Sequence, residues 1–304
     1  MVRKVAIITR TKNRNIFLRR ALQSVVQQEF KDWVWVIVND GGEIQEIEDL
    51  IAKNEDRLQN RVMLMHNEQS QGMEAASNKG IQNSESDYVI IHDDDDTWEP
   101  NFLKRCVSVL DENMFPSVAG VITHSKRILE TIDNEGIKVE YTEPYNTWLQ
   151  SVSIYRMAAS NVFSPISFLY KRSVYDTIGY YREDLPVLGD WEFNLRFVQE
   201  YDIILIPEIL ANYHHRLKTS QGDLGNSVIK DDYWHKFYDS MIRNELLRQD
   251  LRKNTLSMGY LVNLVQSFET LHAQIAPFEN TLRRLRQSMT FHPLKRLLKR
   301  IVNK

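Results

Sequence analysis

The stretch DYVIIHDDDDTWEP, residues 87–100, joins a short apolar run to four consecutive carboxylates, Asp93 to Asp96. The run from Tyr88 to Ile91 is typical of a buried strand. Adjacent carboxylates repel one another, so their position at the end of such a strand indicates that a cation compensates them. A hard divalent ion fits, because it prefers carboxylate oxygens and substrate phosphates can complete its shell. The alternative is an ordinary solvated acidic loop.

Short apolar runs alternate with segments of helical period over the first hundred residues. Apolar residues between Leu18 and Val26 recur at helical spacing, which predicts one buried helix face. Further helices are predicted near residues 44–51 and 73–82. This alternation predicts an α/β fold with a mainly parallel, Rossmann-like sheet that helices flank on both faces. The predicted strands are residues 5–9, 34–38, 62–65 and 88–91.

A polar stretch follows each of these predicted strands. In sheets of this kind, ligands bind beyond the carboxyl ends of the strands. All four polar stretches are therefore expected to line one crevice. They are residues 9–14, 39–42, 67–72 and 93–96.

The second half of the chain is less regular. Residues 118–123 predict a strand, and the turn DNEG, residues 133–136, predicts a hairpin within an insertion at 124–160. A helix is predicted to begin at Asp190, and residues 214–227 are predicted to form a loop. The predicted domains are one at 1–225, with halves at 1–100 and 101–225, and a helical extension at 226–304.

Composition excludes several classes of protein. The formal charge of −3 and the pI of 6.3 argue against a nucleic-acid partner, because such proteins carry a broad basic surface. The single cysteine, Cys106, excludes an intramolecular disulfide framework, and its neighbours predict burial on a helix face. No apolar stretch reaches the ~18 residues of a membrane span or forms a signal-peptide core. A cytoplasmic location is therefore expected.

Five motifs occur together along residues 4–215: TRTKNRNIFLRRALQSVVQQ, WVIVNDGG, NEQSQGMEAASNKG, DYVIIHDDDDTWEP and LGDWEFNLR. Their order and rough spacing resemble those of family 2 glycosyltransferases of the GT-A fold. The resemblance implies a nucleotide-diphosphate sugar donor and a divalent metal cofactor, Mn²⁺ or Mg²⁺. It also implies inverting transfer of the sugar to a hydroxyl of a glycan acceptor.

The resemblance assigns the catalytic base to Asp190 in LGDWEFNLR. Gly189 stands where glutamate is common in the family, but the aspartate is retained. The base would take the proton of the attacking hydroxyl, and a helix N-terminus would favour its carboxylate form. The alternative is that Asp190 only caps the helix.

The donor nucleotide is expected at the ends of the first strands. By resemblance, Thr9 and Arg10 would lie beside the nucleobase and Asp40 would contact the nucleoside, with a plain turn aspartate as the alternative. Asp94 would lie near the ribose. Asn78 keeps the outline of a donor-binding motif, although Ser77 before it replaces an arginine that is common in the family.

The same resemblance assigns metal ligands to the acidic run. Asp95 is the expected direct ligand beside Asp93, whereas Asp96 is expected to support the loop. His214 and His215 lie where many relatives have a loop that closes over the diphosphate, so one imidazole could join the metal shell. Solvated loop histidines are the alternative.

Two further groups of side chains could contact the substrate. Arg216 or Lys218 could neutralise phosphate charge. Trp98 and Trp191 could flank the donor or acceptor sugar, with core packing as the alternative.

The C-terminal segment 281–304 contains basic residues and no Asp or Glu. Leu294, Leu297, Leu298 and Ile301 recur at helical spacing between lysines and arginines, which predicts a basic amphipathic helix. Such a helix could lie on an anionic membrane surface and meet a lipid-linked glycan at the inner face of the cytoplasmic membrane. A partner helix or an oligomer contact is the alternative.

The sequence therefore favours a metal-dependent, inverting glycosyltransferase of lipopolysaccharide, O-antigen or capsule synthesis, peripheral on the membrane. One alternative is a sugar-phosphate nucleotidyltransferase, although no Gly-rich loop with a phosphate-binding lysine follows the first strand. The other is a non-catalytic, sugar-nucleotide-binding scaffold at the membrane. Retention of both the acidic run and Asp190 argues against a scaffold.

Overall fold

The computed structural model describes residues 2–133, 136–217 and 232–289. The chain forms two compact units, Met1–Asp239 and Ser240–Lys304. The domain boundary predicted after residue 225 falls outside the described residues, as do Lys218 and the amphipathic segment from 290 onward.

The first hundred residues form the predicted parallel sheet. Strand β1 lies between β2 and β4, β2 pairs with β3, and all three pairings are parallel. The predicted strands and helices are confirmed, with small changes at their ends. The strands are β1 Arg3–Thr11, β2 Trp33–Asp40, β3 Val62–Asn67 and β4 Ser86–Ile91, and the helices are α1 Asn15–Val26, α2 Gln45–Ala52, α3 Glu55–Leu58 and α4 Met73–Gln82.

The same sheet continues into the second half of the unit, where it becomes mixed. Its full order is β3-β2-β1-β4-β8-β6-β9-β5, and β7 pairs with β6. β8 is antiparallel to β4 and β6, whereas β9 is parallel to β6. The added elements are β5 Thr97–Trp98, α5 Phe102–Glu112, β6 Val118–Asp133, β7 Gly136–Pro144, α6 Ile154–Ala159, β8 Phe168–Lys171, α7 Tyr175–Ile178, α8 Gly189–Glu200 and β9 Asp202–Arg216.

Two predictions for this half were wrong in extent. The strand predicted at 118–123 and the first strand of the predicted hairpin are one strand, β6. β9 continues through His214 to Arg216, which were predicted to lie in a loop. Both polar segments are strands because β6 and β9 pair along their lengths, as far as Glu130 opposite Arg216.

The core lies between the sheet and its helices. Helix α1 buries Leu18, Ala21, Leu22 and Val25 of the predicted apolar face, together with Phe17, whereas Val26 of that face is only partly buried. Burial of a side chain as large as that of Leu18 or Val25 stabilises the fold by about 1.5–3 kcal/mol. Cys106 is buried on α5 as predicted. This packing fixes the ends of the strands on which the polar residues stand.

The described residues from 232 to 289 form two helices, the first of which begins in the first unit. Helix α9 spans Asp232–Arg252 and α10 spans Met258–Met289. Several large apolar residues of α10 are exposed, Phe268 and Phe278 among them. No helix within the described ranges combines the length and the apolar character needed to cross a bilayer.

Candidate active site

The carboxyl ends of β1, β2 and β4 meet at one edge of the sheet. Thr11 lies opposite Asn39, and Ile8 lies opposite Ile91. The turn after β2 also approaches the loop after β3. Gly41 has φ +78°, and a Cβ at this position would lie 2.5 Å from the backbone nitrogen of Ser70. The polar stretches after these strands therefore lie close together.

Arginine side chains compensate the acidic run that follows β4. Arg14 Nη1 lies 3.0 Å from Asp94 Oδ1, and Arg14 Nη2 lies 2.5 Å from Asp95 Oδ2. Arg216 Nη1 lies 2.5 Å from the same oxygen of Asp95. Arg10 Nη2 lies 3.0 Å from Asp93 Oδ1. Guanidinium groups therefore supply positive charge to the acidic run, whereas the run was expected to bind a divalent ion.

The buried carboxylates of the run differ in charge state. Burial alone would raise the pKa of Asp95, but Arg14 and Arg216 outweigh burial and hold that pKa well below its usual range. Burial raises the pKa of Asp94, against the opposing charge of Arg14. Burial and the neighbouring charge of Asp95 raise the pKa of Asp96. Asp95 is therefore the carboxylate of the run that is held most firmly in its charged form.

The ring of Phe17 organises the arginines. The guanidinium carbons of Arg14, Arg20 and Arg216 lie 4.8, 5.5 and 5.0 Å from its centroid. Phe17 is fully buried at the start of α1, so its π-face is a fixed platform for cations. Arg20 Nη1 also lies 2.7 Å from Glu130 Oε2. The arginine cluster thus joins α1, β6 and β9 to the acidic run.

The arrangement does not fit the divalent ion expected at Asp93 and Asp95. Across the described ranges, no three His, Cys, Asp or Glu side chains are placed to hold a metal ion. Asp95, the expected direct ligand, instead accepts two guanidinium groups. A divalent ion at this oxygen would be repelled by both while they stay in place. No step of the reaction is assigned to a metal ion on this geometry.

The two histidines of β9 differ in what their ring nitrogens contact. His214 Nδ1 lies 3.0 Å from Glu130 Oε2, and its Nε2 lies 3.0 Å from Thr97 Oγ1. Both nitrogens are occupied, so this arrangement does not provide His214 as a metal ligand. His215 Nε2 has no hydrogen-bond partner among the described residues. Burial and the charges of Arg127 and Arg216 lower the pKa of His215 to about 4, which keeps the imidazole neutral.

Asp190 lies in the first turn of α8, half-buried. Its Oδ2 accepts a hydrogen bond from Asn161 Nδ2 at 2.7 Å, and its Oδ1 accepts one from the backbone N–H of Trp191 at 2.8 Å. The cap position belongs to Leu188, so Asp190 is not the N-cap. Burial raises the pKa of Asp190, while the Trp191 N–H and Arg10 oppose the rise. A carboxylate with a raised pKa binds a proton more readily, as a general base must.

Asp40 is engaged by the loop after β3. Its carboxylate accepts hydrogen bonds from Asn67 Nδ2 at 2.8 Å, Ser70 Oγ at 2.7 Å, the Gln71 N–H at 2.8 Å and the Gly72 N–H at 3.0 Å. Burial would raise the pKa of Asp40, but these donors lower it overall. In this arrangement Asp40 holds the loop that closes one side of the crevice.

Asn78 joins α4 to the segment before α8. Its Nδ2 donates to the carbonyl of Tyr181 at 2.9 Å and to Glu183 Oε1 at 2.8 Å. Its Oδ1 accepts from the Tyr181 N–H at 3.0 Å. Asn78, which was expected to bind the donor nucleotide, thus connects α4 to the segment around Tyr181.

Three residues expected in the site are core residues. Thr9 is fully buried, and its Oγ1 accepts a hydrogen bond from Trp35 Nε1 at 2.8 Å. Trp98 donates to the carbonyl of Ile166 and stacks on Phe102. Trp191 donates to the carbonyl of Met157 and is 2% exposed. The nucleobase contact expected of Thr9 and the sugar contacts expected of Trp98 and Trp191 are not available from these positions, because the side chains point into the core.

Sequence reasoning missed several residues that complete the site. Arg14 stands in the quoted TRTKNR motif, but its carboxylate partners lie about eighty residues away. Thr11 donates to Asp94 Oδ2 at 2.7 Å, and it shares a strand face with Thr9. Asn161 lies at the end of the predicted insertion and has no motif around it. Of these residues, only Arg14 and Thr11 lie in a motif that the sequence could have indicated.

Comparison with known proteins identifies the family of this chain. Residues 6–179 match the Glycosyl transferase family 2 profile, more than half of the chain. The chain belongs to glycosyl transferase family 2. It is a glycosyltransferase, and its fold is the GT-A fold that the motifs indicated.

Two relatives of this chain are bacterial proteins. It is 23% identical to the uncharacterized glycosyltransferase YwdF of Bacillus subtilis over 67% of this chain and 71% of YwdF. It is 24% identical to the putative colanic acid biosynthesis glycosyl transferase WcaA of Escherichia coli over 65% of this chain and 67% of WcaA.

Solved structures share the fold at low sequence identity. TarS of S. aureus in complex with UDP-GlcNAc aligns with a TM-score of 0.58 at 18% identity, over 72% of this chain and 60% of TarS. The mannosyltransferase PcManGT of Pyrobaculum calidifontis in complex with GDP-Man and Mn²⁺ aligns with a TM-score of 0.52 at 15% identity, over 70% and 57%. The match therefore spans less than two thirds of each of these chains.

Proposed function

We propose that this glycosyltransferase moves a sugar, with inversion, from a nucleotide-diphosphate sugar to a hydroxyl of a glycan acceptor. The observation that carries the proposal is the placement of Asp190. Its carboxylate is held by two donors at the start of α8, and it is within electrostatic reach of Arg10 and Asp93 at the strand ends. This placement supports Asp190 as the base, close to the cationic region at the strand ends.

The chemistry follows from these groups. The acceptor hydroxyl gives its proton to Asp190 while its oxygen attacks the anomeric carbon of the donor sugar. The bond from that carbon to the diphosphate oxygen breaks, and the electron pair leaves with the diphosphate. Attack from the face opposite the leaving group inverts the anomeric centre. Arg14 and Arg216, which are oriented by Phe17 and Asp95, would stabilise the developing negative charge.

The metal requirement, Mn²⁺ or Mg²⁺, stays a prediction. The structure of PcManGT with GDP-Man and Mn²⁺ supports it, whereas the pairing of Asp95 with two arginines counts against it. Calorimetric titration of UDP, GDP and their sugars, with Mn²⁺ and then with chelator, separates the possibilities. Donor binding that is unchanged in chelator would contradict a metal requirement.

The biological reaction we propose is synthesis of a bacterial surface polysaccharide such as lipopolysaccharide, O-antigen or capsule. The name of WcaA, a putative colanic acid biosynthesis enzyme, supports this context. The basic segment 281–304 would bring the enzyme to the anionic inner face of the cytoplasmic membrane and to a lipid-linked acceptor. Sedimentation with vesicles of anionic and of neutral lipid, for the whole chain and for a chain ending at residue 280, tests this.

We also propose self-association through α10. The exposed residues Leu264, Phe268, Leu271, Ile275 and Phe278 follow one another at alternating spacings of four and three residues. This is the a/d pattern of a coiled coil, and a second copy of the chain presents the same seam. Replacement of Phe268 by glutamate is expected to lower the mass measured by sedimentation equilibrium to that of one chain, whereas Glu269→Gln outside the seam leaves it unchanged.

Asp190→Asn tests the central proposal. The amide keeps the shape of the side chain but does not accept the proton, so transfer is expected to fall by at least about a hundredfold, with donor binding retained. Transfer close to that of the wild type would remove Asp190 as the base.

A further inference from the structure

A second buried carboxylate, Glu74, lies beside the candidate base and has no role in the reaction described above. Glu74 stands on α4 and is 4% exposed. Its Oε2 has no hydrogen-bond partner among residues 2–133, 136–217 and 232–289, and Arg10 Nη1 lies 3.6 Å from this oxygen. A buried acceptor without a donor destabilises a fold, so a ligand that supplies the donor would explain its presence.

Glu74 occupies the volume into which a side chain at residue 189 would project. Gly189 precedes Asp190 at the start of α8. A Cβ on Gly189 would lie 2.5 Å from Glu74 Cδ and 2.6 Å from its Cγ, which is closer than such atoms approach in proteins. The backbone of Gly189 is outside the left-handed region. A side chain at residue 189 would therefore displace the Glu74 carboxylate, which fills this space.

Arg10 lies beside Ser77. Arg10 Nη1 donates to Ser77 Oγ at 2.7 Å, and Arg10 Nη2 pairs with Asp93 at 3.0 Å. Ser77 and Gly189 are the two positions at which the motifs of this chain depart from the arginine and the glutamate common in the family. The positively charged Arg10 lies beside Ser77, and the carboxylate of Glu74 lies beside Gly189.

We infer that Arg10 and Glu74 replace, from β1 and α4, the arginine and glutamate absent at positions 77 and 189, and that Glu74 is a positioning residue of the active site. Its carboxylate holds Arg10 near Asp93, and its Oε2, which has no hydrogen-bond donor among the described residues, accepts a hydrogen bond from a hydroxyl of the bound sugar. This inference rests on the proposed sugar transfer. It adds a residue on α4 that orients the sugar beside Asp190.

A positional swap tests the inference. Glu74→Ala is expected to lower kcat/KM by about tenfold or more, because the sugar loses a charged acceptor. The double variant E74A/G189E is expected to recover most of this loss, because the vacated volume admits the new carboxylate. Gly189→Ala alone is expected to lower activity by displacing Glu74. In the E74A background, Gly189→Ala is expected to cause no further loss of kcat/KM. The effects of the two substitutions are therefore not additive.

Other results would overturn the inference. Glu74→Ala with kcat/KM within twofold of the wild type would do so, as would a folded E74A/G189E that gains nothing over E74A. If Glu74→Ala does not fold, Glu74→Gln gives the comparison, because it keeps the volume and loses the charge. E74Q is then expected to lose activity like E74A, and wild-type activity in E74Q would overturn the inference.

A control and a second readout separate this inference from the proposed function. Glu192→Gln is the control, because Glu192 stands on α8 with Gly189 and pairs with Arg196 at 2.7 Å; wild-type activity is expected. Wild-type enzyme that transfers no sugar from any donor would overturn both proposals. Active wild type and inactive D190N, together with an unaffected E74A, would overturn only the role of Glu74.

Discussion

Replacement of Asn161 by alanine is expected to move the acid limb of the pH–rate profile to higher pH. Asn161 Nδ2 donates to Asp190 Oδ2 at 2.7 Å, and Asn194 Nδ2 donates to Asn161 Oδ1 at 3.1 Å and orients the amide. Burial raises the pKa of Asp190, and the Asn161 hydrogen bond is one of the interactions that oppose the rise. The base acts only as a carboxylate, so the rate falls as pH drops through this pKa. Without the amide the pKa rises further, and the rate is lost at a higher pH.

The size of the shift follows from one hydrogen bond to a charged group. Such a bond contributes about 1.5–3 kcal/mol when it is buried, and the half-buried position of Asp190 reduces this to roughly 1 kcal/mol, because water replaces part of the donor. One pKa unit corresponds to about 1.36 kcal/mol. The acid limb is therefore expected to move up by about 0.5–1 unit, and the rate below the limb to fall about three- to tenfold.

The measurement is kcat/KM for sugar transfer across the acid and neutral range. Asn83→Ala is the matched control, because Asn83 is an exposed asparagine at the end of α4 whose amide bonds only to the backbone of Lys79. Its profile is expected to coincide with that of the wild type. An acid limb of N161A that stays in place, or moves to lower pH, would refute either Asp190 as the titrating base or Asn161 as its donor.

Three further predictions concern other parts of the site and core. Asp40→Asn is expected to lower the free energy of unfolding in urea by about 2 kcal/mol near neutral pH. Because the pKa of Asp40 is lowered, the stabilisation is present above the unfolded pKa of about 3.9 and is lost as pH falls through the folded pKa. The stabilities of the two proteins should therefore converge in acid, and a difference that does not change with pH would contradict this role of Asp40. Arg216→Ala is expected to weaken donor binding in calorimetry and reduce its dependence on salt, and unchanged affinity would remove Arg216 from the diphosphate site. Cys106 is expected to react with thiol reagents only on unfolding, because burial raises the pKa of its thiol, and rapid labelling of the native protein would show that α5 opens.

The sequence was sufficient for the first half of the sheet because each strand there is apolar and separated from the next by a helix. β6 and β9 were harder, because polar runs such as Ser125–Arg127 and Asn212–Arg216 interrupt their apolar patterns. These residues are strands because β6 and β9 pair with each other. Pairing between segments so far apart leaves no local signal in the sequence.

Within the candidate site, sequence motifs located the acidic run and Asp190 but not their partners. The carboxylate of Asp95 pairs with Arg14, 81 residues earlier, and with Arg216, 121 residues later. The sequence also did not indicate how far each residue lies from the strand end. Thr9 and Thr11 share a strand face, but Thr9 is one step farther from the strand end and its hydroxyl is bonded to Trp35. Only the packed structure distinguishes a residue at the edge of the crevice from one beneath it.

The guanidinium groups around the acidic run have a consequence for donor binding. Arg14 bridges Asp94 and Asp95, and Arg216 adds a second positive charge to Asp95. A nucleotide diphosphate would bring further negative charge to the same edge of the sheet. Either the guanidinium groups turn toward the phosphates, or a cation enters with the donor and takes their place on Asp95. A buried carboxylate is costly to leave unpaired, so donor binding is coupled to the choice of partner for Asp95. The metal dependence of donor binding therefore measures whether arginines or a cation pair with Asp95 in the bound state.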